Sequence, residues 1–250
     1  MEYFDCNAFI GTPMRRDIWQ PAPEAANLLG EMDFCGVRRA LVWHIAQMEA
    51  SPLTGNPLLA EKIAGQPRLL GCSAILPNQG GEFPPFEAFF QQMRAAGMVG
   101  LRAFPLNHHF FLNRVSVASW LDTASDRRLP FFLSVRWGAN WDIAYQLLAE
   151  FPQLVCVICD HGCWGEDRRF RPLLERYPNV YIDTAQYMLD GGIEAFVSDY
   201  GPDRLLFGSG FPTNYLGGMM LAIQHAQISP EARAAIAGKN LDRILQEVRW

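Results

Sequence analysis

Eight short β-rich runs, separated by longer stretches of helical periodicity, constrain this chain more than any other feature. The runs are residues 3–7, 40–44, 69–74, 99–104, 130–135, 154–160, 180–184 and 205–208. Several have no polar interruption, as in Leu-Val-Cys-Val-Ile-Cys at 154–159. Strands covered on both faces of a parallel sheet have this pattern. Between the runs, residues 22–34 place Ala25, Leu28, Leu29 and Met32 on one helical face, and residues 86–96 do the same with Phe86, Phe89, Phe90 and Met93. Residues 141–151, 171–177 and 193–200 repeat the theme. Ser229-Pro230-Glu231 supplies a cap, a first-turn proline and an acid for a helix to about residue 237, and 241–248 form a last one. Eight alternations in 250 residues predict one α/β domain over the whole chain, a (β/α)8 barrel. Neither a G-x-G-x-x-G nor a P-loop follows any strand, so no nucleotide cofactor is expected.

Charge narrows the function classes. With 21 Lys+Arg against 26 Asp+Glu the formal charge is −5, and the only lysines are Lys62 and Lys239. Nucleic acid and anionic membranes are gripped by clustered basic residues, so neither is an expected partner. No apolar run approaches the roughly 20 residues that span a bilayer. The first residues lack a basic start followed by an apolar stretch, and most of the six cysteines fall in apolar strand runs. Reduced thiols and a cytoplasmic location are the expectation.

Several short motifs together resemble one family. Phe4-Asp5-Cys6-Asn7-Ala8-Phe9-Ile10-Gly11 resembles an opening strand Asp-x-His-x-His-x-Gly, and Gln66-Pro67-Arg68-Leu69-Leu70-Gly71 a run before strand three. Gly97-Met98-Val99-Gly100-Leu101-Arg102 resembles the strand-four run. Phe207-Gly208-Ser209-Gly210-Phe211-Pro212 resembles Phe-Gly-Ser-Asp-x-Pro of strand eight, and Gly238 to Leu245 the family's closing helix. The chain thus resembles the amidohydrolase-related barrels, metal-dependent hydrolases and decarboxylases of carboxylated rings. The resemblance implies five metal-ligand positions. They fall here on Asn7, Phe9, Ser134, Asp160 and Gly210, or on His161 if strand six slips by one. None carries the family's usual ligand, so no metal and no other cofactor is expected.

Asp160 and His161 are therefore the candidate catalytic residues, a carboxylate and an imidazole at the end of strand six that could activate water or take a proton. Strand alternation should turn only one of them inward. Cys159, His161 and Cys163 alternate along that strand, but at about 6.6 Å per two residues they are too spread for one ion. Arg102 and Arg136 end strands four and five and would hold a carboxylate or phosphate. Asn7, Ser134 and His44 are further candidate substrate contacts at strand ends. The expected function is hydrolysis or lyase chemistry, without a metal, on a small carboxylated molecule. A non-catalytic barrel that binds a metabolite, or an interaction protein working through its outer helices, is the alternative. A homo-oligomer is compatible with either.

Overall fold

The computed structural model describes residues 1–14 and 18–250. Its elements run β1 (Tyr3–Ile10), α1 (Ala25–Cys35), β2 (Val37–His44), α2 (Ala46–Glu49), α3 (Pro52–Ile63), β3 (Leu69–Ala74), α4 (Phe86–Ala95), β4 (Met98–Arg102), α5 (Arg114–Asp126) and β5 (Phe131–Ser134). They continue with α6 (Trp141–Glu150), β6 (Cys156–Cys159), α7 (Asp167–Arg176), β7 (Val180–Asp183), α8 (Gly192–Tyr200), β8 (Leu205–Leu206), α9 (Leu216–His225) and α10 (Pro230–Ala234). A π-helical turn (Ala235–Lys239) joins α10 to α11 (Asn240–Gln246). The eight strands pair in parallel in chain order. Cys6 N–H donates to the Phe207 carbonyl at 2.8 Å and Phe9 N–H to that of Phe211 at 2.9 Å, bringing β8 and the segment after it back to β1. The fold is a (β/α)8 barrel.

Two apolar layers follow from strand alternation. Leu41, Trp43, Phe132, Val157, Cys159, Tyr181 and Leu206 point into the barrel and pack on one another. Val42, Leu101, Phe131, Ile158 and Ile182 point outward, into the layer shared with helix residues such as Leu28, Phe90, Trp120, Leu147 and Phe196. At roughly 25 cal/mol per Å² of apolar area, these two layers dominate the favourable side of folding.

All eight predicted strands form, most with ends that differ by one to three residues. The patterning did not predict α2, α3 and α5. In α3 the apolar stripe is broken by Gly55 and Pro57. Gly55 is there because a Cβ would lie 2.3 Å from the backbone nitrogen of Gln47, so α2 can cross α3 only over a bare backbone. In α5 the helix kinks at Val117, which breaks the 3.6-residue period.

Candidate functional site

The C-terminal strand ends hold a buried polar cluster, built first by a distortion of β1. Between Asp5 and Ala8 the pairing with β2 slips by a residue. The slip is a bulge, held because Asp5 Oδ1 accepts Asn7 N–H at 3.0 Å and Ser209 N–H at 2.9 Å, while Ser209 Oγ donates to Asp5 Oδ2. Bulges of this kind re-aim side chains next to functional sites. Here the bulge brings the Asn7 amide to the other strands. Its Nδ2 donates to Asp160 Oδ1 at 2.9 Å and to Asp183 Oδ2 at 2.8 Å. Its Oδ1 accepts from Arg102 Nη2 at 3.0 Å. Arg102 can only donate, so the amide oxygen must face it and the N–H groups face the carboxyls, which determines the orientation.

Asp160 takes the left-handed backbone conformation, φ +58°. An aspartate tolerates it at a cost of about 1 kcal/mol. The turn reverses the expected alternation. Asp160, which would have followed Ile158 outward, meets Asn7, and Ser134 Oγ donates to its Oδ2 at 2.7 Å. His161, which would have followed Cys159 inward, packs edge-on against Phe170 and Tyr187 of the outer layer. Cys159, His161 and Cys163 therefore do not share a face, and all six cysteines are free.

Burial sets the protonation of the cluster. Asp183 is fully enclosed. Burial first, and the adjacent Asp160 second, push its carboxyl up to about 8, so Asp183 holds a proton at neutral pH. His161 Nε2 faces the Asp183 carbonyl at 3.0 Å. A carbonyl only accepts, so Nε2 carries the proton, and burial lowers the imidazole to about 4, leaving it neutral.

The other candidates distribute differently. Arg102 is 1% exposed, lies against the faces of Trp43 and Phe132, and spends its one hydrogen bond on Asn7. It is an internal group and does not face the mouth as expected. His44 shares the outer face of β2 with Val42 and Ala40, not the barrel side, and its Nδ1 accepts Ala46 N–H at 3.0 Å. It caps the turn into α2, and burial, helped by Lys62, lowers its pKa. Arg136 lies beyond the end of β5, exposed, beside a cavity of about 440 Å³ lined also by Glu49, Asn107, His108 and Trp137. It has no ion-pair partner among the described residues. Asp160 and His161 line a second cavity of about 580 Å³ with Trp141, Tyr145, Glu166 and Arg169. The sequence reading did not select Asp183. Its signal was there: it has the inward parity of Tyr181 and ends β7 on the mouth side.

A family model described as amidohydrolase matches residues 58–245. The chain belongs to the amidohydrolase family. Among solved structures, an uncharacterised TIM-barrel protein from Bordetella bronchiseptica is 19% identical, with 99% of each chain covered and a TM-score of 0.75. A 2,6-dihydroxybenzoate decarboxylase from Rhizobium is 16% identical, with 98% of each chain covered and a TM-score of 0.72. A probable 2-pyrone-4,6-dicarboxylic acid hydrolase from Acinetobacter baumannii, with citric acid bound, is 15% identical, covering 98% of this chain and 100% of that one at a TM-score of 0.71. At these identities the likeness is one of fold. No curated protein matches.

The donor set of this amidohydrolase does not fit the divalent ion that the family fold implies. Where the family places ligands, Asn7 turns its N–H groups, not its oxygen, toward the two carboxylates. Phe9 belongs to an aromatic stack, 4.8 Å from Trp43 and 6.2 Å from Trp137. Gly210 has φ +65°, and a Cβ there would lie 2.7 Å from Asn214 Nδ2, so no aspartate fits without displacing Asn214. Among the described residues no group of three or more His, Cys, Asp or Glu is placed to hold a metal.

Proposed function

We propose that this amidohydrolase acts without a metal on a small carboxylated molecule held at the mouth of the barrel, with Asp160 as its general base. The observation that carries this reading is the asymmetry of the two bridged carboxyl groups. Asp183 is sealed in and holds a proton, whereas Asp160 retains slight exposure and lines a cavity beside the strand ends. Paired groups whose environments separate their protonation states are the usual arrangement of acid–base catalysis. Asp160 would take a proton from water attacking a carbonyl, or from the substrate itself in a lyase reaction. Asp183, which no ligand can touch, is a positioning residue. The imidazole of His161 is neutral and walls the cavity.

General-base help contributes about 10²–10⁴-fold. Turnover of lactones and activated esters of small carboxylic acids should therefore be slow and unchanged by chelator. In Asp160→Asn it should fall by roughly 10²-fold or more, with the fold kept. Full activity in that variant, or activity lost to chelator, would sink the reading.

A second reading, a barrel that binds its ligand and does no chemistry, is favoured by the aromatic stack. Phe9, Trp43 and Phe104 are enclosed over the cluster and Trp137 completes the stack. In this second reading Arg136, which lines the separate cavity of about 440 Å³, holds the anion. A dicarboxylate at about 100 times its Kd stabilises the native state by about 2.7 kcal/mol, which for a chain of this size is roughly 5–10 °C in melting temperature. Arg136→Ala should abolish that rise. A rise without turnover selects the second reading, and an unchanged rise in Arg136→Ala removes Arg136 from it.

A further inference from the structure

Arg102 is an expensive residue in this position. Its guanidinium is enclosed, yet it makes a single hydrogen bond, and Nε and Nη1 have no partner. Burying a charge costs several kcal/mol unless opposite charge lies close. No carboxylate touches it directly. The nearest hydrogen-bonded link is the Asn7 amide, whose other end donates to both Asp160 and Asp183. The amide dipole therefore points from the guanidinium toward the carboxyl pair and carries its field there. The Trp43 and Phe132 ring faces, 5.1 and 6.0 Å from the guanidinium carbon, suit a planar, weakly hydrated cation.

We propose that Arg102 is the resident cation of this barrel: through Asn7 it supplies the positive charge that a divalent ion would give the same carboxyl pair, and it thereby excludes such an ion. This explains why Asn7 faces the carboxylates with its nitrogen. With the guanidinium gone, Asn7 Oδ1 would be released beside two carboxylates. That makes three oxygen donors from three strands, with the vacated volume available for ion and water. All-oxygen sets suit Mn²⁺ and Mg²⁺ better than zinc. The inference stands on the donor geometry alone. Its test reads binding and melting, so it can fail without the hydrolytic reading failing, and the reverse.

The experiment compares wild type with Arg102→Ala, Arg102→Met and Arg102→Lys, melted with and without 1 mM MnCl2 or ethylguanidinium, about 100 times a 10 µM Kd. Wild type and Arg102→Lys should not respond. Arg102→Ala should rise by roughly 5–10 °C with Mn²⁺ and also with ethylguanidinium, and should retain about one Mn²⁺ per chain after desalting. If Arg102→Ala is insoluble, it is refolded with either cation, and recovery by neither overturns the proposal. One Mn²⁺ retained per wild-type chain would overturn it as well. So would a folded Arg102→Ala indifferent to both cations. An Arg102→Met protein as stable as wild type would also overturn it, because the side chain would then be filler whose charge is dispensable.

Discussion

An Asn7→Leu protein should be less stable than wild type by about 3–5 kcal/mol, a fall in melting temperature of roughly 6–20 °C. Leucine matches the volume and takes nothing from the apolar packing. What it removes is the one hydrogen bond of Arg102 and one donor each from Asp160 and Asp183. All three groups are buried. An enclosed charge left without its partner costs far more than a surface one, because water cannot replace the lost bond. Asn7→Asp separates this electrostatic account from a packing account. It has nearly the same shape, but places a third carboxylate against two others and offers them no N–H. Its deficit should therefore grow as pH rises. Chemical denaturation of both variants at two pH values reads the effect. A loss below about 1 kcal/mol for Asn7→Leu would show that the bridge contributes little.

The fold was legible because it rests on period and count. A strand covered on both faces must be apolar along its length, and eight such runs in 250 residues leave few architectures. The site was less legible because it is made by departures from period. Alternation along β6 puts His161 inward and Asp160 outward. The left-handed turn at Asp160, which no residue pattern announces, exchanges them. The bulge at Cys6–Asn7 depends on Asp5 and Ser209 meeting across about 200 residues of chain. Arg102 was visible as a charge at a strand end. Whether such an arginine faces solvent or turns under a tryptophan is decided by Trp43, two strands away. Parity and its place at the end of β7 put Asp183 at the mouth, but they do not tell a rim acid from an enclosed one. What distinguishes it is its burial and its neighbour.

The same burial gives the protein a pH dependence whose sign can be worked out. The Asp183 carboxyl titrates near 3.8 in an unfolded chain and at about 8 in the folded one. Between these values the native state holds a proton that the unfolded state has released. Stability therefore falls with rising pH, by up to about 1.4 kcal/mol per unit for one proton. His161 acts oppositely. Its imidazole titrates near 6.5 when unfolded and at about 4 when folded, so between those values the unfolded state binds the extra proton and stability rises with pH. The two slopes offset one another from about pH 4 to 6.5. Of these two groups only the Asp183 carboxyl still titrates above 6.5, and its contribution should fall by about 2 kcal/mol on going from pH 6.5 to 8. Urea denaturation at half-unit intervals tests this. Asp183→Asn should flatten the fall, because it removes the titrating carboxyl, whereas Asp160→Asn should only reduce it, because burial, the larger cause, remains. His161→Phe should leave the fall above pH 6.5 untouched, and expose the carboxyl slope below it. A wild-type curve that is level from 6.5 to 8 would mean that the pair is ionised in the fold. Arg102 and the Asn7 bridge would then balance two buried charges rather than one.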